Sequence, residues 1–251
     1  MSHSSGLEPG KQTIGAPSPA PPETESDQQL LRWGGWAGLS GVVLMVGAVL
    51  VVGGLGLPDA SDVETLTDFD DIEVGRNFEH FLYLGAVMLF ALHALVLYHA
   101  LAKTHRPAAL FGVAMAEFGL AMMAASSLLH LSTSPLSDLY DDPGASAAER
   151  YAVESAWHAA QSVFDTMLIT GVLLVPIGIV LFGVAMRSAS AFGSRLAMVT
   201  IGLGVLGIVG ATVAVIVPGS AFAAAAVLVI VVFNLVVGRR TLRLGRTTNA
   251  E

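Results

Sequence analysis

Glu154 to Leu181, ESAWHAAQSVFDTMLITGVLLVPIGIVL, is apolar throughout its second half and carries Glu154, His158, Gln161 and Asp165 in its first. Steps of four, three and four residues at about 100° per residue place these four side chains within an arc of roughly 60°, one polar stripe on one helix. On a helix otherwise fit for lipid, such a stripe has to face protein or water. The segment therefore predicts a membrane helix inside a bundle, with its outer half turned toward a polar seam. The other ionisable residues found in apolar segments lie in the two segments before it, or at segment ends.

Composition agrees with that reading. The 251 residues are 54% hydrophobic and 13% charged, with a mean hydropathy of +0.69, whereas about a quarter of the residues of an ordinary soluble domain are charged. Six long apolar runs succeed one another: Trp33 to Leu57, Phe78 to Ala102, Ala108 to Leu131, Trp157 to Val184, Leu196 to Val217 and Ala221 to Val237, the last being the shortest. The expected fold class is all-α, a polytopic membrane bundle of six transmembrane helices. With no cysteine there is no disulfide, no thiolate nucleophile and no cysteine-ligated metal. The net charge of −8 comes from acids in the N-terminal tail and two loops, as in haloadapted or simply soluble exposed segments, and points to no nucleic-acid partner.

Residues 1–32 read as a disordered tail, with Pro17, Pro19, Pro21 and Pro22 among Ser, Gly and Glu. Residues 33–238 form the six-helix domain, and residues 239–251 a short basic tail. Trp33 and Trp36 open the first run at headgroup level, and Gly34 and Gly38 supply a small-residue spacing for close helix contact. Pro58 to Asn77 holds seven acids against Arg76 alone, and Ser132 to Ala156 is again acidic. The loops between them and after them carry Lys103, His105 and Arg106, then Arg187 and Arg195, and the end carries Arg239, Arg240, Arg243 and Arg246. Lys and Arg thus alternate sides, which by the positive-inside rule puts both termini in the cytoplasm and the acidic loops outside.

That orientation sets Glu79, His80, His130 and His158 at one outer boundary. At 1.5 Å per residue Asp165 lies about 13 Å inside it, and Glu117 and His93 about 20 Å inside, so depth alone pairs His93 with Glu117. A carboxylate near the bilayer centre costs at least about 2.5 kcal/mol, so Glu117 and Asp165 are expected to be protonated, paired or hydrated. His93, Glu117, Gln161 and Asp165 make up the expected seam, open to the exterior and suited to a proton or a cation, although hydrogen bonding that merely locks the bundle uses the same residue types. The alternative is an outward-facing intramembrane metal-dependent hydrolase, with zinc on His80, His130, His158 and Asp165 or Glu79. Histidines at helix ends also serve as interfacial residues and caps. Outside that alternative the sequence calls for no cofactor, and its one evident partner is the lipid bilayer.

Two resemblances bear on these readings. Ser126-x-x-x-His130 and Asp165 resemble elements of the intramembrane metal hydrolases related to alkaline ceramidases, but those enzymes also use a His-x-x-x-His pair on a late helix, and Leu196 to Val237 contains no histidine. The run Ile179 to Ser188, then Phe192 to Ala197 and the glycine-rich Gly202 to Gly210, resembles an uncharacterised family of six-helix prokaryotic membrane proteins, in which Glu117 would match a glutamate of the third helix. That resemblance implies an architecture and no activity.

Overall fold

The computed structural model describes residues 25–55, 64–217 and 222–246, and among them every regular element is helical. The helices are α1 (Glu25–Leu55), α2 (Glu64–Leu131), α3 (Ser134–Asp141), α4 (Ala147–Arg187), α5 (Ser194–Ile216) and α6 (Phe222–Leu244). All but the short α3 are long and apolar enough to cross a membrane, which makes five such helices, one of them long and bent. The tail expected over residues 1–24 lies outside the described residues. Residues 25–32, whose composition reads as a continuation of that tail, instead form the first turns of α1. Leu31 is buried there, and Asp27 bonds to His99 and Lys103 of α2 at 2.8 Å each, so these turns have tertiary partners that a composition argument does not register.

The loop expected at Lys103 to Pro107 is reduced to a bend at His105, the one residue of α2 with non-helical dihedrals (φ −146°, ψ 72°). His105 accepts a hydrogen bond from the Ala108 backbone N–H on its Nδ1, and Pro107 sits in the first turn of the second limb of α2, so His105 caps that limb. The chain folds back there as a helical hairpin, which brings His80 beside Ser127. α2 packs on α1 and α4, α4 on α5, α5 on α6, and α6 returns to α1, closing a ring around a core of Phe90, Leu97, Ile179, Phe182 and Phe233.

Glycine sets the closest approaches. A Cβ on Gly171 of α4 would stand 2.6 Å from the Gly119 carbonyl oxygen of α2, and one on Gly178 would stand 2.7 Å from that of Gly112. Gly34 and Gly38 do what their spacing predicts. Gly34 packs on Val96, and Gly38 on the ring of His93, where a Cβ would meet Nδ1 at 2.8 Å.

The described parts of both expected acidic loops are largely helical. α2 is already helical from Glu64, and residues 132–156 contain α3 and the first turns of α4. α4 starts early because Ser146 and Glu149 form a reciprocal cap: the Glu149 N–H donates to Ser146 Oγ at 3.3 Å and the Ser146 N–H to Glu149 Oε2 at 2.7 Å. α3 is pinned across the hairpin by Ser137, whose hydroxyl donates to the Leu66 carbonyl. Leu66, Phe69 and Trp157, with Leu136 and Tyr140 against them, form a small apolar cluster separate from the main core. Phe69 meets Trp157 edge-on at 5.8 Å.

Candidate functional site

Next to that apolar cluster, three helix faces meet with polar side chains. On the first limb of α2, Arg76, Glu79, His80 and Tyr83 recur at spacings of three, four and seven residues and so share one face. On the second limb, Ser126, Ser127 and His130 face them, and α4 supplies Gln161 and Phe164. Arg76, Glu79, His80, Ser126, Ser127, His130 and Gln161 are all buried.

The contacts link into one chain. Arg76 Nη1 and His80 Nε2 each lie 3.5 Å from Glu79 Oε2. On its other nitrogen, Nδ1, His80 meets Ser127 Oγ at 3.1 Å, and the Ser127 hydroxyl also reaches the His80 carbonyl at 3.4 Å. The His130 ring lies against the His80 ring, centroids 4.5 Å apart, and meets Phe164 edge-on at 4.9 Å. Ser126 is satisfied locally by the Met123 carbonyl. Five buried atoms here have no hydrogen-bond partner: Arg76 Nε, Glu79 Oε2, His80 Nε2, Tyr83 Oη and His130 Nδ1. Leaving such groups unmade is expensive, and so many in one place mark a cluster built to meet something beyond its own side chains.

The geometry between Glu79 and His80 is chemically specific. If His80 carries its proton on Nδ1, donating to Ser127, then Nε2 and Glu79 Oε2 present two lone pairs to each other across 3.5 Å. A proton on either atom removes the repulsion, so the pair is a natural one-proton site.

The residues singled out in the sequence go to four different places. His80 and His130 lie ring against ring, whereas His158 is half-exposed and 3.9 Å from Glu154. Asp165 is exposed and has no hydrogen bond or ion pair among the described residues. Consequently no group of three or more His, Asp or Glu side chains among the described residues is placed to hold a metal ion, and the zinc set of His80, His130, His158 and Asp165 does not assemble. His93 does not pair with Glu117. It is fully buried and lies 2.8 Å from Asn234 Oδ1 on α6, whose own amide donates to the Ile230 carbonyl. Glu117 stays half-buried on a flank of α2, its Oε1 without a partner. Gln161 alone of the α4 stripe turns inward.

These departures have one cause: depth along a helix says nothing of azimuth around it. Glu154, His158, Gln161 and Asp165 share an arc, yet only Gln161, at its edge, is buried. Arg76 escapes a sequence reading because it falls in a stretch whose acids look like a loop. Its spacing of three and four residues before Glu79 and His80 is the available signal, as Ser146-x-x-Glu149 is for the start of α4. A scan with protein-family models and searches of curated proteins and of solved structures found no match to this chain.

Proposed function

We propose that the chain is a multi-pass membrane protein crossing the bilayer six times, with both ends on the cytoplasmic side, and that its outer polar cluster takes up and releases protons. The crossings are supported by the five long apolar helices, of which α2 doubles back at His105, and the orientation by the alternation of Lys and Arg between loops. The observation that carries the proton reading is the contact of His80 Nε2 with Glu79 Oε2 inside a buried cluster of unpartnered polar atoms. Histidine beside a carboxylate is the side-chain pair best suited to exchange a proton near neutral pH. The Arg76 guanidinium beside Glu79 already supplies the positive charge that a bound cation would bring, which favours a proton over a metal ion or an alkali cation.

Trp157, buried in the neighbouring apolar cluster, is the built-in reporter. With Trp33 and Trp36 replaced by Phe, its emission is expected to show a pH step in detergent-solubilised protein. Glu79→Gln and His80→Gln should remove that step, whereas His158→Gln should keep it. A step that survives Glu79→Gln, or the absence of any step, overturns the reading.

A further inference from the structure

The opposite end of the bundle holds a second polar feature with no connection to the histidine cluster. There the start of α1 meets the end of α6 and forms an open pocket of about 410 Å3, lined by Gln29, Arg32, Trp33, Trp36 and Arg246. Gly245 makes this meeting sterically feasible: a Cβ on it would stand 2.6 Å from Arg32 Cγ and 2.7 Å from the Gln28 carbonyl oxygen. Past that close approach the chain sets the Arg246 guanidinium over the Trp36 ring, 5.9 Å from its centroid.

Neither Arg32 nor Arg246 makes an ion pair among the described residues. Of the two acids in the first turn of α1, Asp27 has its two oxygens held by His99 and Lys103, and Glu25 makes no ion pair among the described residues and does not line the pocket. The surroundings are basic too, with Arg239 and Arg243 on the exposed side of α6. Two arginines with open hydrogen-bond forks converge on a cavity with no anion of the chain's own described part to fill it, which is the donor geometry that recognises phosphate.

The walls say what kind of phosphate. Trp33 and Trp36 are 69% and 51% exposed, and rings that large left open at the end of an apolar helix belong at headgroup level. From Trp36, steps of seven residues lead along the same face of α1 to Val43 and Leu50, also exposed. A molecule with a phosphate in the pocket would lay its acyl chains along that strip. We propose that this pocket binds an anionic phospholipid headgroup, Arg32 and Arg246 closing on the phosphate oxygens and the two tryptophans holding the glycerol level. Basic pockets between membrane helices take such headgroups, and a free phosphate ion would gain only the arginines.

Thermal unfolding of the full-length protein in a neutral maltoside detergent tests this, titrated separately with a short-chain phosphatidylglycerol, the matching phosphatidylcholine and inorganic phosphate. Phosphatidylglycerol alone is expected to raise the midpoint. Arg32→Gln and Arg246→Gln should each move that titration to about fivefold higher lipid. Gly245→Val, which props α6 off α1 without removing charge, should weaken it as well. The pair Arg239→Gln and Arg243→Gln, which removes two charges outside the pocket where each pocket variant removes one, should leave it unchanged. An equal rise with phosphatidylcholine would show a lipid surface without headgroup selection, and an equal rise with inorganic phosphate a free-anion site. Equal weakening from the Arg239 and Arg243 pair would show diffuse charge. Any of these, or no rise with phosphatidylglycerol, overturns the proposal.

Discussion

His93 and Asn234 meet at 2.8 Å with both side chains buried. With Nδ1 carrying the proton toward Asn234, Nε2 is left without a partner, so the pair is a modest lock between α2 and α6. His93→Leu and Asn234→Leu should each lower the stability of the detergent-solubilised protein, and the double variant should lose less than the sum. The coupling expected is about 0.6 kcal/mol and at most about 1.7 kcal/mol, as for other hydrogen bonds between membrane helices. Strictly additive losses in heat or SDS unfolding would show that the contact adds nothing. The same two residues show what a sequence can and cannot say about a site. That His93 sits deep and needs a partner is legible. Which partner is not, because Asn234 carries no charge, lies in a run otherwise free of polar residues and comes within reach only through the rotation of two helices. That His80 and His130 lie at the same depth is legible as well, but not that their rings meet, since His158 has the same expected depth and stays half-exposed.

Individual helices carry two further tests. Gly171 backs onto Gly119 in a tight approach of α2 and α4, so Gly171→Val should cost about 1–3 kcal/mol by forcing the helices apart, whereas Gly202→Ala, with open space where the Cβ would go, should be neutral or slightly stabilising. Equal effects from the two changes would mean that the α2–α4 approach is not tight. At the start of α4, Glu149 lies outside the apolar run that begins at Trp157, and the hydrogen bond it accepts from the Ser146 backbone N–H holds its carboxyl below the usual glutamate range. A carboxylate whose folded value is depressed contributes stability above its unfolded value and loses it as pH falls through the folded one. The protection of the amides of residues 147–150, the intrinsic exchange rate at each pH divided by the observed one, should therefore fall on acidification through the carboxylate range. Glu149→Gln should flatten that dependence, and an unchanged profile in that variant would rule out the cap as its source. The long apolar runs are readable because a span is a matter of length and hydropathy. The early starts of α1, α2 and α4 are not, since acidic residues resemble a loop until their partners in space are known.

At the scale of the whole chain, the proposed topology predicts that reporters fused after Arg106 and after Gly245 read cytoplasmic and that those near Asp70 and Asp142 read exterior. An exterior signal at Gly245 would remove the sixth crossing. Deleting residues 1–24 should leave the detergent-stable protein intact, while a deletion through Arg32 should not, because it takes Asp27 from His99 and Lys103. The length of α4 has a consequence for sidedness. Its 41 residues extend about 60 Å, and even at a 40° tilt project about 46 Å across a hydrocarbon layer of about 30 Å. If α4 crosses the bilayer in the proposed orientation, a stretch of helix has to stand clear of the lipid, and the excess falls toward the half of α4 that carries Glu154 and His158 and borders the histidine cluster. Under the proposed topology Asp165 lies toward that margin, and the Glu79–His80 proton would exchange with one aqueous compartment, separated from the other by the packed Phe90, Phe182 and Phe233 layer. In sealed vesicles of uniform orientation, the Trp157 signal should track a pH jump on the side of the acidic loops and ignore one on the side of the basic ends.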